Sequence, residues 1–170
     1  VNVSGSIEPA PAGAAEGAPR RGIDPRGPRF GAGITAVLLL ADIYLGLTGL
    51  SVAAVALLAA VALLFGWGAF AGIERHPYGL LFKRLVRPRL APPSELEDPA
   101  PPTFAQGVGL VIAGIGVILG VFGLPVVVVV AAVLAFVAAF LNSVFGYCLG
   151  CRIHLLLVRV GVIRRTGAPA

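Results

Sequence analysis

The sequence predicts an all-α integral membrane protein: four transmembrane helices arranged as two tandem hairpins, with short interfacial amphipathic segments. Three observations predict it. The chain is 58% hydrophobic and only 12% charged, about half the ~25% charge of soluble domains, and its mean hydropathy is +0.95. Four apolar stretches each approach the ~20 residues that a helix needs to cross ~30 Å of hydrocarbon. Finally, every positive charge falls in segments that an even number of crossings puts on one side of the bilayer.

The elements follow in order. Residues 1–22 are mostly Ala, Gly, Pro and Glu with almost nothing to bury, which predicts a disordered tail. With no apolar core, that stretch is not expected to act as a secretory leader. The transmembrane domain is expected over residues 23–165. Its first hairpin, 30–73, holds spans at 30–47 and 51–73, and its second, 104–147, holds spans at 104–122 and 125–147. A cytoplasmic connector joins them over 74–103, and its Pro-rich part from Pro88 to Pro102 is expected to be extended. Residues 148–165 contain an apolar run too short to cross, which is expected to lie along the membrane surface. Residues 166–170 form a second disordered tail.

The thirteen positive residues set the orientation. Arg20, Arg21, Arg26 and Arg29 precede or open the first span, five more lie in the connector, and Arg152, Arg159, Arg164 and Arg165 follow the last span. The opposite turns, 48–51 and 123–125, carry no charge. The positive-inside rule makes the charged side cytoplasmic, with both termini inside. Topology and anionic lipid account for the net charge of +5. No basic domain remains to hold a nucleic acid, so the lipid bilayer is the expected partner.

The chain is written twice. Asp24, Pro25, Pro28, Phe30 and Gly33 recur as Asp98, Pro99, Pro102, Phe104 and Gly107, each 74 positions later (98 minus 24), and Gly72 recurs as Gly146. Both halves hold two spans and start on the same side, so they are expected to be related by an axis along the membrane normal. At that offset Cys148 to Cys151 overlie Glu74 to Pro77, and Glu74 and His76 are expected at the depth of the cysteines.

Helices in lipid need small residues to approach closely. Gly68 with Gly72, Gly116 with Gly120, and Ala131, Ala135 and Ala139 supply four-residue spacings for a tight bundle or a homo-oligomer. Asp42 is the one clear intramembrane charge, either functional or near enough to the outer interface to reach water. Asn142 is expected to hydrogen-bond between helices.

The feature that carries chemistry is Cys148-Leu149-Gly150-Cys151, where the last span meets a basic segment. Cys-x-x-Cys spacing lets two sulfurs meet, and Arg152 and His154 supply a positive neighbourhood that favours a thiolate. Gly150 allows the span to end there and a new helix to begin, whose N-terminus also stabilises a thiolate. Three readings compete: a redox or sulfur-relay dithiol, a zinc site from Cys148, Cys151 and His154 with His76, and cysteines that only pack in a structural or assembly subunit. A small transporter using Asp42 is a further rival. Outside the zinc reading no cofactor is expected. A permanent disulfide is disfavoured on a cytoplasmic face. No phosphate loop, zinc-protease motif or serine triad is present.

Several segments resemble a family of small bacterial membrane proteins, domain of unknown function 4395. They are residues 23–30, 77–82, 96–99 and 104–107, and the most specific, 141–151, which keeps Asn142, Gly146, Cys148, Gly150 and Cys151. The resemblance runs from about Ile23 to Arg159 and implies a bacterial plasma-membrane protein without specifying a reaction. Through association of its members with thioredoxin-like or sulfurtransferase-type proteins, it leans toward thiol chemistry with a soluble partner of that kind.

Overall fold

The computed structural model describes residues 22–163. Apart from Gly22, the predicted tails lie outside the described residues, as do Arg20, Arg21, Arg164 and Arg165. Four long helices, α1 (Arg26–Leu47), α2 (Ser51–Ala71), α4 (Ala100–Val121) and α5 (Pro125–Phe145), are long and apolar enough to cross a membrane. The short α3 (Pro77–Leu81) runs on through a π turn, Phe82–Val86, and a 3-10 turn, Arg87–Arg89. An amphipathic helix, α6 (Leu149–Arg159), follows α5.

Side-chain size is sorted from the inside out. The core is dominated by small residues, Ala54, Ala113, Ala131, Ala132 and Ala135, around Leu39, Leu58, Val61 and Val128. The large apolar side chains face outward, with Phe70 87% and Val52 85% exposed. So extensive an apolar surface suits lipid and not water, whereas small residues let helix backbones close on each other. The chain is a multi-pass membrane protein.

Both helical hairpins start four residues before the apolar run does. Asp24 Oδ1 accepts the Arg26 N–H at 3.0 Å, and Asp98 Oδ1 accepts the Ala100 N–H at 2.8 Å. Each carboxylate thereby satisfies a donor that has no intrahelical partner. The Arg26 guanidinium also bonds to Asp24, at 2.9 Å to each oxygen, and holds that carboxyl below its ordinary range. The expected extended stretch to Pro102 is corrected here: Pro101 and Pro102 lie in the first turn of α4. Proline is compatible with that turn because the N–H it lacks would have no partner there. Pro88 likewise sits in a 3-10 turn.

The duplication is visible in the backbone. α1 and α4, α2 and α5, and the turn glycines Gly49 and Gly123 (φ 82° and 85°) all stand 74 residues apart (100 minus 26). α1 packs mainly on α5 and α2 mainly on α4, two contacts that a twofold rotation exchanges. Ile23 and Glu97, themselves equivalent, trade both backbone hydrogen bonds at 2.9 Å each. This reciprocal bridge marks the pseudo-twofold axis. Of the two glycine pairs, Gly116 and Gly120 pack against neighbouring helices, as does Gly68 on Gln106 of α4, whereas Gly72 (φ 83°) ends α2. Ala131 and Ala135 are buried, Ala139 half-buried.

Candidate functional site

The sulfur pair is positioned by two consecutive backbone devices. α5 ends at Gly146, whose φ of 66° is readily adopted only by glycine among ordinary residues. The N–H groups of Gly146 and Tyr147 then close on the carbonyls of Asn142 and Leu141, each at 3.1 Å. One residue later Cys148 is extended and opens α6, its Sγ accepting the Cys151 N–H at 3.2 Å. Cys148 is thus the N-cap and Cys151 lies in the first turn, with Cα atoms 5.2 Å apart and the sulfurs in disulfide contact. Both cysteines are half-buried. The N-terminal end of α6, with its unpaired N–H groups and positive dipole end, favours negative charge on sulfur.

α6 is seated on α4. A β-carbon built on Gly150 would stand 2.5 Å from Ala105 Cβ and 2.6 Å from Ala105 Cα. The Phe104 ring lies 5.2 Å from that of His154. Arg152 stacks its guanidinium over Tyr147 at 5.2 Å, and the Arg29 guanidinium fills the space that a β-carbon on Gly146 would need. Two guanidinium groups therefore flank the short segment leading into Cys148.

The other predicted site residues are placed as follows. The Nδ1 of His154 is buried and has no hydrogen-bond partner among the described residues. Glu74 is exposed and lines a groove with Asp98, Thr103 and Phe104. The backbone carbonyl of Asn142 caps α5, and its side chain makes no hydrogen bond among the described residues. Asp42 is wholly buried in the bundle. Among the described residues no three His, Cys, Asp or Glu side chains converge as a metal-ligand group, so His154 and His76 do not join the two sulfurs.

His76 is 3% exposed and opens α3 as Cys148 opens α6. Its Nδ1 accepts the Tyr78 N–H at 3.3 Å, which assigns the proton to Nε2, donated to the Leu64 carbonyl at 3.1 Å. This changes the register of the duplication. Glu74 does not overlie Cys148; His76 does, with Tyr78 opposite Gly150 and Phe82 opposite His154, an offset of 72 (148 minus 76). The cause is the 3-10 turn Ile73–Arg75, which places three residues between the helix-ending glycine and the next N-cap where the second half has only Tyr147. The ring pairs agree: Phe30 with Phe82 at 5.8 Å matches Phe104 with His154.

Burial depresses the His76 pKa, with the Leu64 bond opposing in part. The unfolded chain, with an ordinary histidine near 6.5, binds a proton at a higher pH than the folded one. Stability from this residue is therefore present above about pH 6.5 and is lost as pH falls toward the folded value. Thermal unfolding in mild detergent is expected to show that acid loss for the wild type and to lack it in His76→Gln. The variant is expected to cost about 1–3 kcal/mol at neutral pH, the penalty for disturbing buried hydrogen bonds.

The sequence assigns Arg29, Phe104 and Ala105 no place at the sulfur site. Arg29 was seen only as a topology charge, yet its 74-residue counterpart Thr103 (103 minus 29) accepts the Ile73 N–H at the matching place in the first half, at 3.3 Å. The duplication itself was the signal that could have found it. No curated protein and no solved structure matches the chain. From Ile23 at the axis bridge to Arg159 at the end of α6, residues 23–159 match one family, described as Domain of unknown function (DUF4395), and the chain belongs to it.

Proposed function

We propose that the protein is a membrane-embedded thiol redox or sulfur-relay component of the bacterial plasma membrane, with both termini and the Cys148–Cys151 pair at the cytoplasmic face. The observation that carries the reading is a half-exposed sulfur pair in bonding contact at a helix N-terminus. Flanking guanidinium groups of Arg29 and Arg152 favour the thiolate. A pair that opens and closes reversibly also reconciles disulfide contact with a reducing compartment, where catalytic disulfides are transient.

In the exchange, a thiolate of the reduced pair attacks a disulfide of a soluble thioredoxin-like protein. The partner's S–S bond breaks, and its released thiolate takes up a proton. The second cysteine loses its proton and attacks the mixed disulfide, freeing the partner's other thiol. Two electrons pass to the partner: its disulfide becomes a dithiol and the pair becomes a disulfide. In the relay version a thiolate of the reduced pair attacks the outer sulfur of a persulfide on a sulfurtransferase-type protein. The donor's S–S bond breaks, the donor leaves as its thiol, and the persulfide now on the pair passes its outer sulfur to an acceptor thiol in the same way.

Differential alkylation of the two thiols with a membrane-impermeant reagent tests this. Inside-out vesicles are expected to label only after reduction, and brief treatment with a mild oxidant is expected to abolish labelling. Right-side-out cells are expected to remain unlabelled throughout. Thiols that stay labelled after oxidant, or a Cys148→Ser, Cys151→Ser chain that tolerates thiol stress like the wild type, would return the protein to a structural role.

A further inference from the structure

Asp42 has no place in the thiol chemistry. It sits on α1 five residues before the helix ends at Leu47, about 8 Å at 1.5 Å per residue. Its exposure is 0%, and neither carboxyl oxygen has a hydrogen-bond partner among the described residues.

The helices around it offer no countercharge. α1 packs on α2, α5, α3 and the π turn. α2 and α5 contain no ionisable side chain at all, and neither does α4. Tyr78 of α3 meets α1 at Gly31, eleven residues away and about 16 Å along the helix. Lys83 and Arg84 of the π turn belong to that same distant end. On α1 itself, Tyr44 is exposed and Arg26 and Arg29 lie more than three turns away. The twofold counterpart of Asp42 is Gly116, so no second carboxyl shares a charge with it.

The Leu58 backbone N–H is the donor that faces it, without forming a hydrogen bond. A buried carboxylate with no countercharge is strongly disfavoured, so such a group neutralises itself by taking up a proton. We infer that Asp42 is a proton-binding site inside the bundle, holding one proton as the neutral acid and exchanging it with water admitted from the nearer, uncharged end of the helices. A bound metal cation is a poorer occupant, because no other carboxylate or ionisable ligand faces the site.

The test uses the full chain in lipid vesicles and a hydrophobic carbodiimide, which takes the proton of a neutral carboxylic acid, adds its carboxylate and rearranges to a stable acylurea. At neutral pH an adduct at Asp42 is expected by peptide mass mapping, with a rate that falls about tenfold for each pH unit above the point of proton loss. Infrared difference spectra are expected to show the carbonyl band of a protonated carboxyl, absent in Asp42→Asn. Asp42→Asn, which copies the shape of the neutral acid, is expected to fold as the wild type does. No adduct together with no acid carbonyl band at neutral pH overturns the inference, as does a folded wild type whose Asp42→Asn variant collapses.

Discussion

Gly116→Leu is expected to loosen the helical bundle by about 1–3 kcal/mol, as overpacking of a close-packed core commonly costs. The first carbon of the new side chain would already stand 2.5 Å from Ala131 Cβ and 2.8 Å from Leu58 Cδ2. Ala131 has no rotamer with which to withdraw, and Leu58 is fully buried, so α4 must move away from α2 and α5. In lipid that separation is not resisted by a hydrophobic effect, only by the packing being lost. Gly114, two residues earlier, has nothing within 4 Å, and Gly114→Leu is expected to leave stability near the wild-type value. Thermal unfolding of the two variants in the same detergent separates a steric effect from a general intolerance of bulk in α4.

Gly150→Val is expected to slow closure of the sulfur pair by about tenfold or more, each tenfold being about 1.4 kcal/mol. The obstruction is the Ala105 Cα, backbone that cannot rotate aside, at 2.6 Å. α6 would lift from α4, taking Cys151 with it and breaking the Phe104–His154 ring contact. The first half shows how the same seat accepts a large residue: there Gly31 lies under Tyr78, its would-be β-carbon at an easy 3.4 Å. Ala105→Gly is therefore expected to restore much of the closure rate in Gly150→Val. Stopped-flow oxidation of the reduced protein measures both variants, and an unchanged rate in Gly150→Val would show that α6 does not need this seat.

Hydropathy placed each span to within about four residues because the apolar runs and the helices share the same middles. It missed the ends for a local reason. The first turns at Arg26 and Ala100 are polar or proline-rich and look unlike membrane, yet Asp24 and Asp98 cap them. At the other ends apolar residues continue past Gly72 and Gly146, whose positive φ turns the chain regardless of hydropathy. The duplication was legible from the repeated Asp-Pro motif, and the same motif could not reveal the two-residue slip after Gly72, which comes from a 3-10 turn with no distinctive composition. A new helix near the cysteines was legible from the end of the apolar run, but its start was misplaced. The break expected at Gly150 falls at Gly146, which makes Cys148 the N-cap and puts Gly150 inside the first turn of α6. The seat on Ala105 could not, because contact between residues 45 positions apart (150 minus 105) is a property of the packed bundle and leaves no pattern in either segment.

The mutual exchange between Ile23 and Glu97 has a consequence for ancestry and for engineering. Any pairing in which each member gives and receives the same two bonds closes equally well when its members belong to separate polypeptides. Half of this chain thus already carries the self-complementary edge of a dimer, and the stretch linking the halves raises their local concentration.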